Sequence, residues 1–117
     1  MRYMLFCCSN EAHWNALPEE ERDAIMREYG EWVEARRADG TYLRGGKLHD
    51  TPAARSIRLS EGGRIVRDGP FAETKEQIGG FHILECESED QALALAEMIP
   101  TLRAGAVVEV RPMRWEH

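Results

Sequence analysis

The run Tyr3-Met4-Leu5-Phe6-Cys7-Cys8 constrains this chain more than any other stretch. It is short and nearly continuously apolar, so it does not alternate between a core and water. The strand it forms must be covered on both faces. A sheet built around it therefore needs helices on one side and a different cover, such as a partner subunit, on the other. With 117 residues the chain is sized for one domain, residues 1–117, whose core needs no staples.

The remaining elements follow in order. Pro18 opens a helix, and Glu19, Glu20 and Glu21 suit the positive end of its dipole. Ile25, Tyr29, Trp32, Val33 and Arg36 recur at helical spacing, and Asp39-Gly40 supplies the stop. Tyr42 to Lys47 reads as a second strand, with Gly45-Gly46 allowing a bend or a close backbone approach. Ser56 to Leu59 and Arg64 to Arg67 flank Glu61-Gly62-Gly63 as a hairpin. Phe81 to Cys86 reads as a strand. Ser88-Glu89-Asp90-Gln91 then opens a helix with a capping-box pattern, ended by Pro100, and Ala106 to Arg111 closes as a strand. Without the hairpin the order is βαββαβ, the ferredoxin-like α+β pattern. Its four-stranded sheet leaves one face free of helices, and a homodimer pairing two such faces would cover it.

Composition excludes several classes. The net charge of −6 opposes a general nucleic-acid binder, which needs a basic surface. No segment approaches the length of a membrane span, and the N-terminal apolar run is too short for a secretory signal. Three cysteines without a C-x-x-C pattern read as reduced, buried thiols, so neither a metal site nor a disulfide framework is expected. The expected location is the cytoplasm. Gly62-Gly63 and Gly79-Gly80 fit neither a P-loop nor a dinucleotide fingerprint, so no cofactor is expected.

The chemistry-bearing stretch is Asp68-Gly69-Pro70-Phe71-Ala72-Glu73-Thr74-Lys75-Glu76, followed by Gly79-Gly80-Phe81. It combines turn residues, four ionisable side chains and a Gly-Gly approach to a strand, which either pins side chains at a sheet edge or faces its charges to water. These residues, with Met1-Arg2-Tyr3-Met4-Leu5 and Val108-Glu109-Val110-Arg111-Pro112 at the two ends, resemble the signature of the YCII-related, DGPF-type family. The resemblance spans nearly the whole chain. It implies a dimeric α+β barrel with a pocket between sheet and helices, or near the subunit junction. Some shorter YCII-type proteins carry a His–Asp pair, the histidine in the first helix. Aligned on Gly40, that position falls at or near Tyr29 and the acidic one near Ala38-Asp39, so this sequence lacks the histidine.

Two readings of Asp68 stand: a general base at the rim of a partly apolar pocket, or an Asx-turn cap around Gly69-Pro70. Glu73, Lys75 and Glu76 either orient a polar ligand or form an ion-pair network that fixes the loop. His82 makes an acid–base pair with Asp68, or else is a core histidine bonded to a backbone group. His49 lies within reach of the same pocket, and Tyr29 contributes either a hydroxyl to it or bulk to the core. His13 and His117 look incidental, and Trp14 anchors a loop near His13. Arg55, Arg58, Arg64 and Arg67 form a mixed-charge hairpin that faces solvent.

Two functions compete on this reading. One is a cofactor-free enzyme or binder acting on a small polar or aromatic compound. The other is an accessory module that meets a protein partner through the charged hairpin. The family resemblance, to companions of transcriptional sigma factors, implies a transcription factor as such a partner. Haem binding through His82 or His49 is a third possibility, which a colourless reconstitution mixture would dispose of.

Overall fold

The structure, a computed structural model, describes residues 1–116; His117 lies outside the described residues. Strand β1 (Arg2–Ser9) runs through the middle of a four-stranded antiparallel sheet. Strand β5 (Gln77–Glu85) lies on one side of it and β6 (Val107–Pro112) on the other, and β2 (Tyr42–Lys47) flanks β5. The sheet order β2-β5-β1-β6 is that of a ferredoxin-like α+β fold. Both long helices, α2 (Glu19–Ala38) and α3 (Glu89–Ala96), cover the same sheet face.

Register explains the core. On the helix side, Tyr3 lies opposite Leu84 and Pro112, and Leu5 opposite His82 and Val110. Tyr3, Leu5 and Leu84 pack against Trp32, Ala92, Ala96 and Ile99. Gly40, with φ +82°, ends α2 in the left-handed conformation that an L side chain strains. Ser88 Oγ accepts from Gln91 N at 3.1 Å, and Glu87 N donates to Gln91 Oε1 at 2.7 Å, which closes the capping box of α3. That helix ends at Ala96, short of Pro100, and Pro100 instead opens a 3-10 turn, Pro100–Ala104.

The opposite face carries no helix. By alternation it presents Met4, Phe6, Cys8, Phe81 and Ile83, all half-buried, with Ile78 and Val107 exposed beside them. The apolar β1 run therefore has helices over one side only.

Two local expectations need correction. Residues around Trp14 form a short helix, α1 (Glu11–Ala16), whose Asn10 side chain caps His13 N at 3.0 Å. It is too short to show a helical period, and the Asn cap was its one signal. Second, Gly79 and Gly80 do not precede the strand but lie inside β5. A bulge between Cys7 and Cys8 shifts the register there, and a Cβ on Gly80 would stand 3.0 Å from the Gly46 carbonyl oxygen. Glycine is needed for that close approach even though it weakens strands in general. The expected hairpin is present: β3 (Arg55–Ser60) and β4 (Gly63–Asp68) form a two-stranded sheet separate from the main one. They pack chiefly on each other. The hairpin projects, giving extents of 50 × 40 × 18 Å and a radius of gyration of 16.1 Å, against about 13 Å for a compact chain of this length.

Candidate functional site

Glycines in the sheet create the cavity. Two neighbouring cross-strand rows on the helix side read Val110-Leu5-His82-Gly45 and Val108-Cys7-Gly80-Lys47. Where a core would place a branched side chain, Gly80 places none, and at Gly45 the Tyr42 hydroxyl and the His82 ring take the space a side chain would fill. The resulting cavity of about 350 Å³ lies between the sheet, α2, α1 and the 3-10 turn after α3. Its apolar walls include Trp14 and Met26, and its polar groups include Cys7, Tyr29, Tyr42, Lys47, His82 and Thr101.

His82 is the centre of this wall. Gly45 lets it sit against Tyr42, because a Cβ there would collide with the Tyr42 hydroxyl and stand 2.5 Å from His82 Nδ1. The Tyr42 hydroxyl bonds Nδ1 at 2.9 Å, and the Tyr29 hydroxyl bonds Nε2. Tyr29 in turn meets the Cys7 sulphur at 3.2 Å. Trp32 packs on the imidazole with ring centroids 5.1 Å apart, and its indole N–H donates to the Leu95 carbonyl at 2.9 Å. The result is a chain: Cys7, Tyr29, His82, Tyr42.

Burial sets the protonation of every member. It lowers the His82 pKa to about 4, so the imidazole is neutral at physiological pH. Burial also raises the Tyr29, Tyr42 and Cys7 pKa values, keeping the phenols and thiol protonated. A neutral imidazole has one N–H and one lone pair. With the proton on Nδ1 it donates to Tyr42 and accepts from Tyr29, leaving the Tyr42 O–H for a ligand. With the proton on Nε2 it donates to Tyr29, accepts from Tyr42, and turns the Tyr29 O–H towards Cys7. Passing between these states moves protons along the chain without creating charge.

Of the residues expected at a site, the structure brings only His82 and Tyr29 to the cavity lining. Asp68 ends β4 in the other sheet, its side chain 90% exposed and 3.6 Å from Arg55 Nε. The proposed Asp68–His82 pairing is therefore not formed: the two lie in different sheets, and tyrosines occupy both ring nitrogens of His82. Glu73, Lys75 and Glu76 are exposed, and no ion pair joins them among the described residues. Instead Gln77 Nε2 donates to the Ala72 and Thr74 carbonyls at 2.8 and 3.0 Å, and Thr74 Oγ1 to the Glu76 carbonyl at 2.7 Å. Side-chain-to-backbone bonds hold the loop. His49 is exposed and outside the lining, although Leu48 and Asp50 on either side belong to it. No cluster of metal-ligating side chains occurs among the described residues.

The sequence reading missed Tyr42, Cys7, Lys47 and Thr101. Tyr42 and Lys47 were legible as the first and last residues of β2, but the contact of Tyr42 with His82 and the place of Lys47 beside Gly80 depend on pairing with β5. Thr101 Oγ1 is buried and has no hydrogen-bond partner among the described residues, which costs on the order of 1–3 kcal/mol unless a ligand or water engages it.

Comparison with known proteins places the chain. The sequence model of the YCII-related domain matches residues 1–116. The chain belongs to the YCII-related family. A relative, an uncharacterised protein of Rhizobium meliloti (strain 1021), is 37% identical over 118 residues, covering 97% of this chain and 92% of that protein. Among solved structures, 5-chloro-2-hydroxyhydroquinone dehydrochlorinase (TftG) from Burkholderia phenoliruptrix AC1100, in complex with 2,5-dihydroxybenzoquinone, superposes with a TM-score of 0.55. It shares 21% identity, and the match covers 100% of this chain and 95% of that one. At that identity the likeness is one of fold.

Proposed function

We propose that this YCII-related protein binds a small hydroxylated aromatic or quinone-like compound in the cavity and moves a proton on it without a cofactor. The observation that carries this reading is the neutral His82 held between two phenols at the wall of a cavity of about 350 Å³. A solvent-facing histidine would titrate near neutrality, whereas this one stays neutral and able to take or give a proton. A ligand hydroxyl beside Tyr42 gives its proton to Tyr42 as Tyr42 passes its own to Nδ1, Nε2–H passes to Tyr29, and Tyr29 releases its own hydroxyl proton back into the cavity. In a tautomerisation the same chain returns a proton to another ring atom, so atoms and electrons balance with no co-reactant. In an elimination the electron pair instead expels a leaving group, and the proton that Tyr29 releases departs with it. The dehydrochlorinase TftG and its hydroxyquinone complex are consistent with that substrate class.

The protein is further proposed to act as a cytoplasmic homodimer, with the helix-free sheet faces together. Three free cysteines suit a reducing compartment, and among the described residues no helix is long and apolar enough to cross a membrane. Neither nucleic acid nor membrane enters this proposal.

Calorimetric titration with 2,5-dihydroxybenzoquinone tests the site. Binding to the wild type is expected, weakened about tenfold by Tyr42→Phe through one lost hydrogen bond. Absence of binding, together with no releasable small-mass adduct in native mass spectra, would sink the proposal.

The exposed hairpin favours a second reading, a surface for a protein partner such as a transcription factor. Ile57 and Leu59 are 63% and 84% exposed, and Phe71, 76% exposed, carries Arg58 at 4.8 Å over its ring. That reading requires charge reversal at Arg58 and Arg64 to disrupt a complex while leaving the cavity's ligand binding intact.

A further inference from the structure

The polar groups deep in the cavity are uncharged at neutral pH: burial keeps Tyr29, Tyr42 and Cys7 protonated and His82 neutral. Charge enters the lining only from its rim. The acidic rim residues are already engaged: Glu11 accepts from Thr51 N at 2.7 Å and from Thr51 Oγ1, and Asp50 accepts from Asn15 Nδ2 at 3.4 Å. Lys47 is the lysine of the lining, and its ammonium has no carboxylate partner among the described residues. It ends β2 in the row of Cys7 and Gly80, one row on from His82 and Gly45. Two residues along an antiparallel strand span about 7 Å, roughly the distance between groups on opposite sides of a six-membered ring.

Resting on the reading of the cavity as a small-molecule site, we propose that Lys47 selects ligands carrying an anionic oxygen, carboxylate or phenolate, opposite the hydroxyl that meets Tyr42 and His82. Gly80, in the row of Lys47, carries no side chain into the space between the two polar ends, and Trp14 and Met26 supply apolar walls for the ring. An anion there is held by a charge-assisted bond, which is stronger than a neutral one. An ester of the same shape offers no charge to hold. Lys47 is thus a specificity-determining residue, distinct from the proton-carrying chain.

The test compares 4-hydroxybenzoate with its methyl ester by calorimetry at neutral pH, on the wild type, Lys47→Met and Lys47→Arg. The wild type is expected to prefer the acid by about tenfold or more. That preference should vanish in Lys47→Met and survive in Lys47→Arg. Lys47 is exposed, so all three proteins are expected to melt alike. Equal binding of both probes by the wild type, or a preference that persists in Lys47→Met, would overturn the role of Lys47 and leave the cavity reading standing. Failure of both probes to bind any of the three proteins would overturn the cavity reading and this inference with it.

Discussion

At the scale of single residues, the site depends on what Gly45 and His82 do to each other. A methyl on Gly45 meets the Tyr42 hydroxyl, stands 2.5 Å from His82 Nδ1 and 2.6 Å from the Phe81 carbonyl oxygen. Because backbone is among the obstacles, side-chain motion alone does not relieve the crowding. Gly45→Ala is expected to cost about 1–3 kcal/mol, read from urea midpoints. Gly30→Ala is the contrast: nothing lies within 4 Å of its added methyl and it sits inside α2, so a gain of about 0.5–1 kcal/mol is expected. His82 also sets a pH dependence. Its pKa is about 4 in the folded protein against an ordinary 6.5. Between those values the unfolded chain holds a proton that the folded one lacks, so its stabilising share is complete above pH 6.5 and falls as pH drops towards 4. The slope from this group is at most about 1.4 kcal/mol per pH unit. Urea midpoints at pH 7, 6 and 5 should show it, and His82→Gln should flatten it; an equal slope in the variant would assign the effect to other groups. His82 and Tyr29 were legible in the sequence as a strand histidine and a helix tyrosine. Their contact, 53 positions apart, was not.

Among the elements, β3 and β4 stand apart. The hairpin is tied down at its base by Gly69 N donating to the Ala54 carbonyl at 2.7 Å and Ser56 Oγ to the Gly69 carbonyl at 2.9 Å. Beyond that base its residues are exposed. A two-stranded hairpin alone is marginal in water, so it adds little to the stability of the monomer. Replacing residues 56–67 with a two-residue Asn-Gly turn is expected to change monomer unfolding free energy by less than about 0.5 kcal/mol. A loss above about 2 kcal/mol would show that the hairpin packs against another surface, such as a second copy. The turn at Glu61-Gly62 was readable from composition, and so was the α3 cap. Helix α1 and the glycine-bearing half of β5 were not, because a short helix has no period and glycines argue against strand locally.

For the whole molecule, the question is the uncovered sheet face. Met4, Phe6, Cys8, Phe81 and Ile83 line it without a helix above them. The proposed dimer would pair this face, whose rows end in Arg44, Glu109 and Arg111, with its own copy and exclude the apolar residues from water in a closed, symmetric way. Phe6→Glu, placed in the middle of this face, is expected to convert a dimer into a monomer at micromolar concentration by light scattering. A wild-type protein that is already monomeric would remove the dimer from the proposal.

By itself the sequence determined the βαββαβ scheme, the inserted hairpin and the family, because each is written in local periodicity, turn residues and an unbroken motif. Only the tertiary structure decided which polar groups share a cavity. The Asp68 motif, conspicuous in the chain, folds out to solvent, while Cys7, Tyr29, Tyr42 and His82 meet because antiparallel register brings their rows together. Register is a long-range property, and the glycines that permit its close approaches have no side chain to signal their role.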